Sequence, residues 1–441
     1  MENTFYLLGK TLKHSFSKEI HNMLGNNNYF YKELNENELK SFVLNKNYKG
    51  LNVTIPYKKA VMEYLDEIDI YAQNIGAVNT VVNKNGKLLG FNTDFYGLKN
   101  TIIYNNITLK NKTVLILGSG GTSLTAKEVA KNLEAKKILI VSRHKKEEDG
   151  YITYPQAEKK YSNAEIIINT TPVGMFPNNF NSPLNTDNFN NLEAVVDVIY
   201  NPLHTLLTLK AKEKNIKTSN GLFMLVSQAA KSNELFFNEA DKDENENKKT
   251  YEVYGKLLKQ KQNLVLIGMP GSGKTTLGLK VAKELNKDFF DCDKEIEKAY
   301  NKTPAEIIKT EGEEAFRAKE TLILKQLSLK NNSVIAPGGG AVLNPDNILY
   351  LKQNGKIIYL NRPVELIIKN INNNKAENSN KEKSENKNPE RPLTKTAKDF
   401  ENIFNKRKSL YKKYAEKEVL CDNNFSNELK NIKEAFLNDR P

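Results

Sequence analysis

Cysteine is almost missing from this chain: two residues in 441, Cys292 and Cys421. Two distant thiols make neither a disulfide framework nor a zinc-binding spacing, which suits a reducing compartment, so a cytoplasmic protein is expected. Long apolar runs are missing too. The opening MENTFYLLGKTLKH holds no apolar core followed by a cleavage site, and no stretch approaches the length of a membrane span, so no membrane partner is expected. No repeat period is visible. Nor is there a basic helix or a set of interleaved aromatics. Lys and Arg number 66 against 53 Asp and Glu, a net charge of +13, but the lysines are scattered through Asn- and Glu-rich stretches. That pattern reads as solvated surface and not as a nucleic-acid face. It leaves a mild positive potential that suits anionic small molecules.

What is present suffices for packed cores. Hydrophobic residues make up 39%, with 20 Tyr and 19 Phe, and 441 residues imply two or three domains. Two short apolar runs end in glycine: TVLILGSGGTS at 113–123 and NLVLIGMPGSGKTT at 263–276. Each reads as a buried strand feeding a tight turn and then a helix, LTAKEVAKNL and LGLKVAKEL respectively.

The second run is a complete phosphate-binding loop, Gly268-x4-Gly273-Lys274-Thr275, with Gly271, Ser272 and Thr276 filling out the set for ATP. Its glycines let backbone N–H groups wrap phosphates, Lys274 reaches the outer phosphates, and the Thr275 hydroxyl suits Mg2+. The first run, Gly118, Ser119, Gly120, Gly121 and Thr122, is a looser dinucleotide fingerprint. A second apolar run, ILIVSRHKK, ends where an NAD site carries a ribose-binding acid; here stand Ser142 and Arg143, with no Asp or Glu before Glu147. Arginine there suits a 2′-phosphate and points to NADP(H), the alternative being a solvated surface charge.

Two polar stretches look disordered by composition, NEADKDENENKKT (238–250) and NNNKAENSNKEKSENKNPERPLT (372–394). Neither is a seam. The second lies about a hundred residues beyond the phosphate loop, and after the first Tyr251, Tyr254 and Leu258 share a helical face that should pack back on the first domain. The boundary expected is the short KQKQN at 259–263.

The stretches HSFSKEIHN (14–22), GLNVTIPYKKAV (50–61), GAVNTVV (76–82), GFNTDFYG (90–97), INTTPVGM (168–175), DVIYNP (197–202) and GLFMLVSQAA (221–230) together resemble shikimate dehydrogenase, in family order over essentially all of residues 1–260. The resemblance implies NADPH-dependent reduction of 3-dehydroshikimate. Carried over, it implies that Ser15 and Ser17 hold the substrate carboxylate, that Thr54, Asn79, Asp94 and Gln228, with Tyr200, line the substrate, and that Lys58 and Asp94 are the catalytic pair. Thr170 and Gly221 join the cofactor set. Hydride delivery to a ketone builds negative charge on oxygen, so a cation able to give up a proton is needed beside it. By spacing alone Lys58, with Lys59 behind it, reads more readily as surface, and Ser15 and Ser17 as a helix cap; only the surrounding NVTIP turns this around. The segment 144–168 is shorter than the family commonly has, so a flanking helix should be trimmed.

From Asn263 onward, GMPGSGKTT, FDCDKEIE (290–297), EGEEAFR (311–317), APGGGAV (336–342), ERPLT (390–394) and NKRKSLYKKYA (405–415) resemble shikimate kinase. The implied reaction transfers the ATP γ-phosphate to shikimate. Asp293 would orient the hydroxyl, Asp291 would hold Mg2+ through water, and Arg317 and Arg407 would grip the carboxylate against Gly338, Gly339 and Gly340. Arg391 would come down on the phosphates from an enlarged lid at about 370–395. Phosphoryl transfer needs placement and charge neutralisation more than covalent help, which these residue types supply. Cys292, between two acids, should face away from them by strand alternation.

The expected architecture is α/β throughout: a shikimate dehydrogenase-like substrate domain (1–98, completed by helices in 222–260), a Rossmann NADP-binding domain (99–221), and a three-layer P-loop kinase domain like the nucleoside monophosphate kinases (263–441). The expected partners are small-molecule substrates, and the protein a monomer or homodimer. The alternatives are a catalytically decayed sensor for shikimate-type ligands and a quinate/shikimate dehydrogenase using NAD.

Overall fold

The computed structural model describes residues 4–12, 16–144, 150–237, 243–369 and 397–438. It separates into two compact units, Met1–Leu257 and Leu258–Pro441.

The first unit holds two six-stranded sheets. One is mixed, in the spatial order Tyr29–Glu33, Phe5–Gly9, Gly50–Val53, Thr80–Lys84, Lys87–Phe91, Glu67–Ile68. The other is wholly parallel, in the order Lys217–Ser219, Ala194–Asp197, Ile166–Asn169, Thr113–Leu117, Lys137–Val141, Tyr151–Ile152. Numbered along the chain this is the doubly wound order of a dinucleotide-binding sheet, with its topological switch between Thr113–Leu117 and Ile166–Asn169. The apolar runs are continuous because both faces are covered. Val114, Ile116, Ile166 and Ile168 enter one core, and Leu115, Leu117 and Ile167 enter another on the opposite face. The helix flanking this sheet after Lys137–Val141 is Tyr154–Lys160, seven residues long.

The helix Gly221–Phe237 returns against the helix Thr93–Tyr104. Their approach is close: a Cβ on Gly97 would lie 2.7 Å from the Met224 carbonyl oxygen. The next helix, Asp243–Lys261, stacks Tyr251 on Tyr104 at 5.4 Å and sets Tyr254 edge-on to it at 5.9 Å, the packing its spacing predicts. The buried positions of this stretch are Val253, Tyr254 and Leu257, whereas Tyr251 is exposed and Leu258 only half-buried. Two further expectations are corrected here. Residues 243–250 are helical where composition suggested disorder, because they extend a helix anchored by its aromatic end. The change of unit falls inside this same helix, which runs on to Lys261 and meets the strand Asn263–Ile267 after one residue, so no loop serves as the seam.

The second unit is built on one parallel five-stranded sheet, in the order Asp288–Asp291, Ser333–Ala336, Asn263–Ile267, Gly355–Asn361, Lys417–Leu420. Alternation again divides the strands between two cores. Val265, Ile267, Ile335 and Ile357 pack on one face, and Leu264, Leu266, Val334 and Ile358 on the other. The central strand carries the phosphate loop at its carboxyl end, with chain reversals available on both sides of it.

Candidate active sites

In the first unit, Lys58 follows the strand Gly50–Val53, and its carbonyl accepts the Val78 N–H at 2.8 Å, which pins the loop. Asp94 stands in the first turn of the helix Thr93–Tyr104, capped by Asn92, where the helix dipole favours a carboxylate. Lys58 Nζ donates to Asp94 Oδ2 at 2.6 Å, with both side chains partly open to solvent. Lys59 is exposed. Thr54 lies at the end of the same strand, its methyl against Gly9. Asn79 is buried, and its Oδ1 accepts the Thr93 N–H at 2.7 Å. Gln228 reaches this neighbourhood from the helix Gly221–Phe237, accepting weakly from Thr93 Oγ1 at 3.4 Å. Tyr200 meets Phe16 edge-on at 6.2 Å. Ser17 opens the helix Ser17–Met23 as its first residue; the capping position is Phe16, so the helix-cap alternative does not hold for Ser17. Ser15 lies outside the described residues.

The parallel sheet places Gly118, Ser119 and Gly120 between the strand Thr113–Leu117 and the helix Gly121–Asn132, with Thr122 in its first turn. Gly118 has φ +102°, a left-handed conformation that only glycine adopts freely, and Thr170 from the strand beyond the switch donates its hydroxyl to Leu117 O at 2.6 Å. A Cβ on Gly120 or Gly121 would meet nothing within 4 Å. Protein packing therefore does not demand glycine there, whereas close approach of a ligand to a helix N-terminus does. Ser142 is buried and shares a hydrogen bond with Ser119 at 3.2 Å, and Arg143 beside it is exposed. Gly221 backs onto the strand Ala194–Asp197: its N–H donates to Ile199 O at 2.8 Å, and a Cβ would lie 1.9 Å from Val198 O.

One buried pair was not read from the sequence. Asn169 Nδ2 donates to both oxygens of Asp197 at 3.1 Å, and Thr205 adds 2.7 Å, tying the ends of two parallel strands together. Burial pushes the Asp197 carboxyl up to about 6 despite these bonds.

In the second unit the phosphate loop is formed as expected. Gly268, Gly271 and Gly273 all have positive φ (155°, 83° and 100°), which aims successive N–H groups at one cradle. The Ser272 hydroxyl is buried with no partner among the described residues, an orphan that a phosphate oxygen would satisfy. Lys274 Nζ lies over the loop, 3.0 Å from both Gly268 O and Met269 O. Thr275 Oγ1 donates to Asp291 Oδ2 at 2.6 Å, with Thr276 exposed next to it. A hydroxyl beside a carboxylate is an oxygen donor set fitted to a hard cation.

Asp291 ends the strand Asp288–Asp291 and caps the helix Cys292–Tyr300. Cys292 is thus the first helical residue, buried by helix packing; the strand alternation expected for it does not apply. Asp293, in the same turn, is exposed at the cleft. Crowding by the cleft walls and then the like charges of Asp291 and Glu320 push its carboxyl up to about 6. Because the side chain is open to solvent, the neighbouring carboxylates are the firmer cause.

Arg317 donates to Glu320 at 2.7 Å and to Glu313 at 3.1 Å. Glu320 is fully buried, and burial holds its carboxyl above the usual range against the pull of Arg317. Gly338, Gly339 and Gly340 wrap this group: a Cβ on each would lie 2.4 Å from Glu320, 2.7 Å from Pro270 and 2.5 Å from the Arg317 guanidinium, respectively. Arg407 is 7% exposed on the helix Ala397–Tyr414, and Tyr411 one turn later donates to Gly339 O at 2.5 Å. Glu320 and Tyr411 escaped the sequence reading; the three-residue step from Arg317 to Glu320 was the signal for the first. Arg391 and the segment 370–396 lie outside the described residues.

Comparison with known proteins agrees with both halves. A family model for the shikimate dehydrogenase substrate binding domain matches residues 7–81, and one for shikimate kinase matches residues 270–436. A shikimate dehydrogenase (NADP(+)) of Clostridium beijerinckii is 38% identical over 254 residues, covering 53% of this chain and 91% of that protein. One from Methanococcus maripaludis is 40% identical over 251 residues, covering 52% and 90%. Among solved structures, a chorismate mutase/shikimate 5-dehydrogenase fusion protein from Clostridium acetobutylicum aligns with a TM-score of 0.54 at 35% identity, covering 58% of this chain and 97% of that one. Shikimate 5-dehydrogenase from Thermus thermophilus, solved with NADP(H) and shikimate, aligns at 0.50 with 28% identity, covering 57% and 99%. With such identity over nine-tenths of its relatives' length, the chain belongs to the shikimate dehydrogenase family, and a shikimate kinase domain is fused behind it.

Proposed function

We propose that this bifunctional enzyme catalyses two adjoining steps of the shikimate pathway, towards chorismate and the aromatic amino acids. Its first unit reduces 3-dehydroshikimate to shikimate, and its second phosphorylates shikimate with ATP to shikimate 3-phosphate. The observation that carries the reading is the presence in one chain of the Lys58–Asp94 pair at 2.6 Å and of a formed phosphate loop with Thr275 on Asp291. The first unit comprises a substrate domain, residues 1–98 with helices from 222–260, and a cofactor domain, residues 99–221; the kinase domain is 263–441. The protein works in the cytoplasm as a monomer or homodimer.

NADPH, when bound, supplies the hydride. Lys58 gives its proton to the oxygen that becomes the hydroxyl, and Asp94 holds the lysine and the substrate in register. Thr54, Asn79, Tyr200 and Gln228 bind the ring oxygens, with Ser17 and Ser15 on the carboxylate. Gly118 to Thr122, Thr170 and Gly221 line the dinucleotide, and Ser142 and Arg143 take the 2′-phosphate. In the kinase, Thr275 would hold Mg2+, with Asp291 assisting through water, and the ion would supply positive charge beside the phosphates. Asp293 aims the acceptor hydroxyl, Arg317 and Arg407 grip the shikimate carboxylate, and Lys274 and Arg391 counter the charge of the moving phosphoryl group.

The test is the purified full chain with 3-dehydroshikimate, NADPH and ATP, following NADPH loss and ADP formation separately. Both should proceed. A protein that binds these ligands but turns over neither would be a sensor, and equal efficiency with NADH would remove the cofactor assignment.

Two variants probe the sites in detail. Arg143→Ala should raise the KM for NADPH by about 10-fold or more while leaving NADH use nearly unchanged, since only the 2′-phosphate loses a partner. Gly340→Ala should displace the tip of Arg317, which a flexible side chain allows without unfolding. The expected result is a KM for shikimate raised by about 10-fold with Tm nearly unchanged, one weakened charged hydrogen bond being worth about that much. Kinetics and a melting curve on the one variant check both halves of this statement.

A further inference from the structure

Behind the Lys58–Asp94 pair lies a cluster of buried polar side chains that no catalytic role accounts for. Asn52, Thr80, Thr93 and Ser232 are each at most 6% exposed. They come from two strands, from the turn that carries Asp94, and from the helix that carries Gln228. Such groups persist in a core only when their hydrogen bonds are met, and here they meet one another.

The bonds have a direction. The Thr93 N–H donates to Asn79 Oδ1 at 2.7 Å. A backbone N–H can only donate, so the oxygen end of the Asn79 amide is fixed by chemistry, without ambiguity of flip. Thr80 Oγ1 donates to the same oxygen at 3.1 Å, and Thr93 Oγ1 approaches it at 3.2 Å. The Thr80 hydroxyl is free to donate because Asn52 Nδ2 fills its acceptor side at 3.0 Å. Asn52 Nδ2 also donates to Ser232 Oγ at 2.9 Å, and Ser232 passes its own proton to Gln228 O at 3.0 Å. Tyr29 holds the other end of the Asn52 amide, donating to Oδ1 at 2.9 Å. The chain thus runs from Tyr29 through Asn52 to two hydroxyls, and ends on Asn79 and on the backbone of Gln228.

We infer that Thr80 and Thr93 are positioning residues, which turn the oxygen of the Asn79 amide inward so that Asn79 meets the substrate as an NH2 donor. The Asn79 Nδ2 makes no hydrogen bond to the described residues. The site therefore discriminates in favour of a ring oxygen that accepts, and against a group at that position that can only donate. This rests on the proposed dehydrogenase reading.

The test uses the full chain and separates the two. Thr80→Val keeps shape and removes the donated proton; Thr80→Ser keeps the proton; Thr93→Val removes the second hydroxyl on the same oxygen and keeps the Thr93 N–H. Thr80→Val and Thr93→Val should each raise the KM for 3-dehydroshikimate about 10-fold, the worth of one hydrogen bond, with kcat and the KM for NADPH within about twofold. Thr80→Ser should restore the native KM. Kinase turnover should be untouched in all three. A KM for 3-dehydroshikimate unchanged in both disrupting variants, or a rise shared by Thr80→Ser or by NADPH, overturns the inference, the last by showing general loosening. Should Thr80→Val fail to fold, Thr93→Val carries the same reading. An unmodified protein inactive on 3-dehydroshikimate would instead overturn the function itself.

Discussion

Lys58→Met in the full chain is expected to lower 3-dehydroshikimate reduction by about 10^3-fold, with ADP formation from shikimate and ATP unchanged. Methionine fills the same volume, so the change removes a charge and a proton and little packing. Two contributions vanish together. The oxygen that receives the proton loses its general acid, worth about 10^2 to 10^4 in rate, and the growing negative charge loses the cation beside it. Asp94 is then left facing the carbonyl without its 2.6 Å partner, which adds repulsion. The loss should sit in kcat. A rate within tenfold of the unmodified protein would place the proton donor elsewhere.

The mirror-image experiment is Asp293→Asn. Asparagine is isosteric, and Asp293 is exposed at the first turn of the helix Cys292–Tyr300, so the fold should tolerate it. Kinase turnover should fall by roughly 10^2-fold or more, because the acceptor hydroxyl loses the carboxylate that aims it and takes its proton. NADPH oxidation should be unaffected. The two compact units meet between Leu257 and Leu258, and the residues assigned to each reaction fall entirely on one side of that division. Measuring both activities on both variants therefore gives a two-by-two result. Loss of both activities from either single change would mean a shared site and would sink the assignment of one reaction to each unit.

Much of the chemistry was legible in the sequence because it depends on local conformation. Three glycines with positive φ, a lysine and a threonine define a phosphate cradle within eight residues, since one turn after a buried strand suffices to build it. The apolar runs foretold parallel strands buried on both faces, and the burial found for Val114 to Leu117 and Leu264 to Ile267 follows from that alone. Spacing could not choose between Lys58 and Lys59, adjacent and identical in type. Only the folded chain brings Asp94, 36 residues on, against the first of them. The buried relay of Asn52, Thr80, Thr93 and Ser232 joins positions up to 180 residues apart, and each of its members reads by itself as an ordinary polar residue. Cys292 shows the same limit at short range, because where a strand gives way to a helix depends on the cap at Asp291 and on the packing beneath it. The sequence determined which local devices exist and which nucleotides they suit, because backbone turns and side-chain chemistry are properties of neighbouring residues. The tertiary structure decided which lysine is paired, which way an amide faces and which carboxylate is buried, because those are set by the partners that long-range packing brings within hydrogen-bond distance.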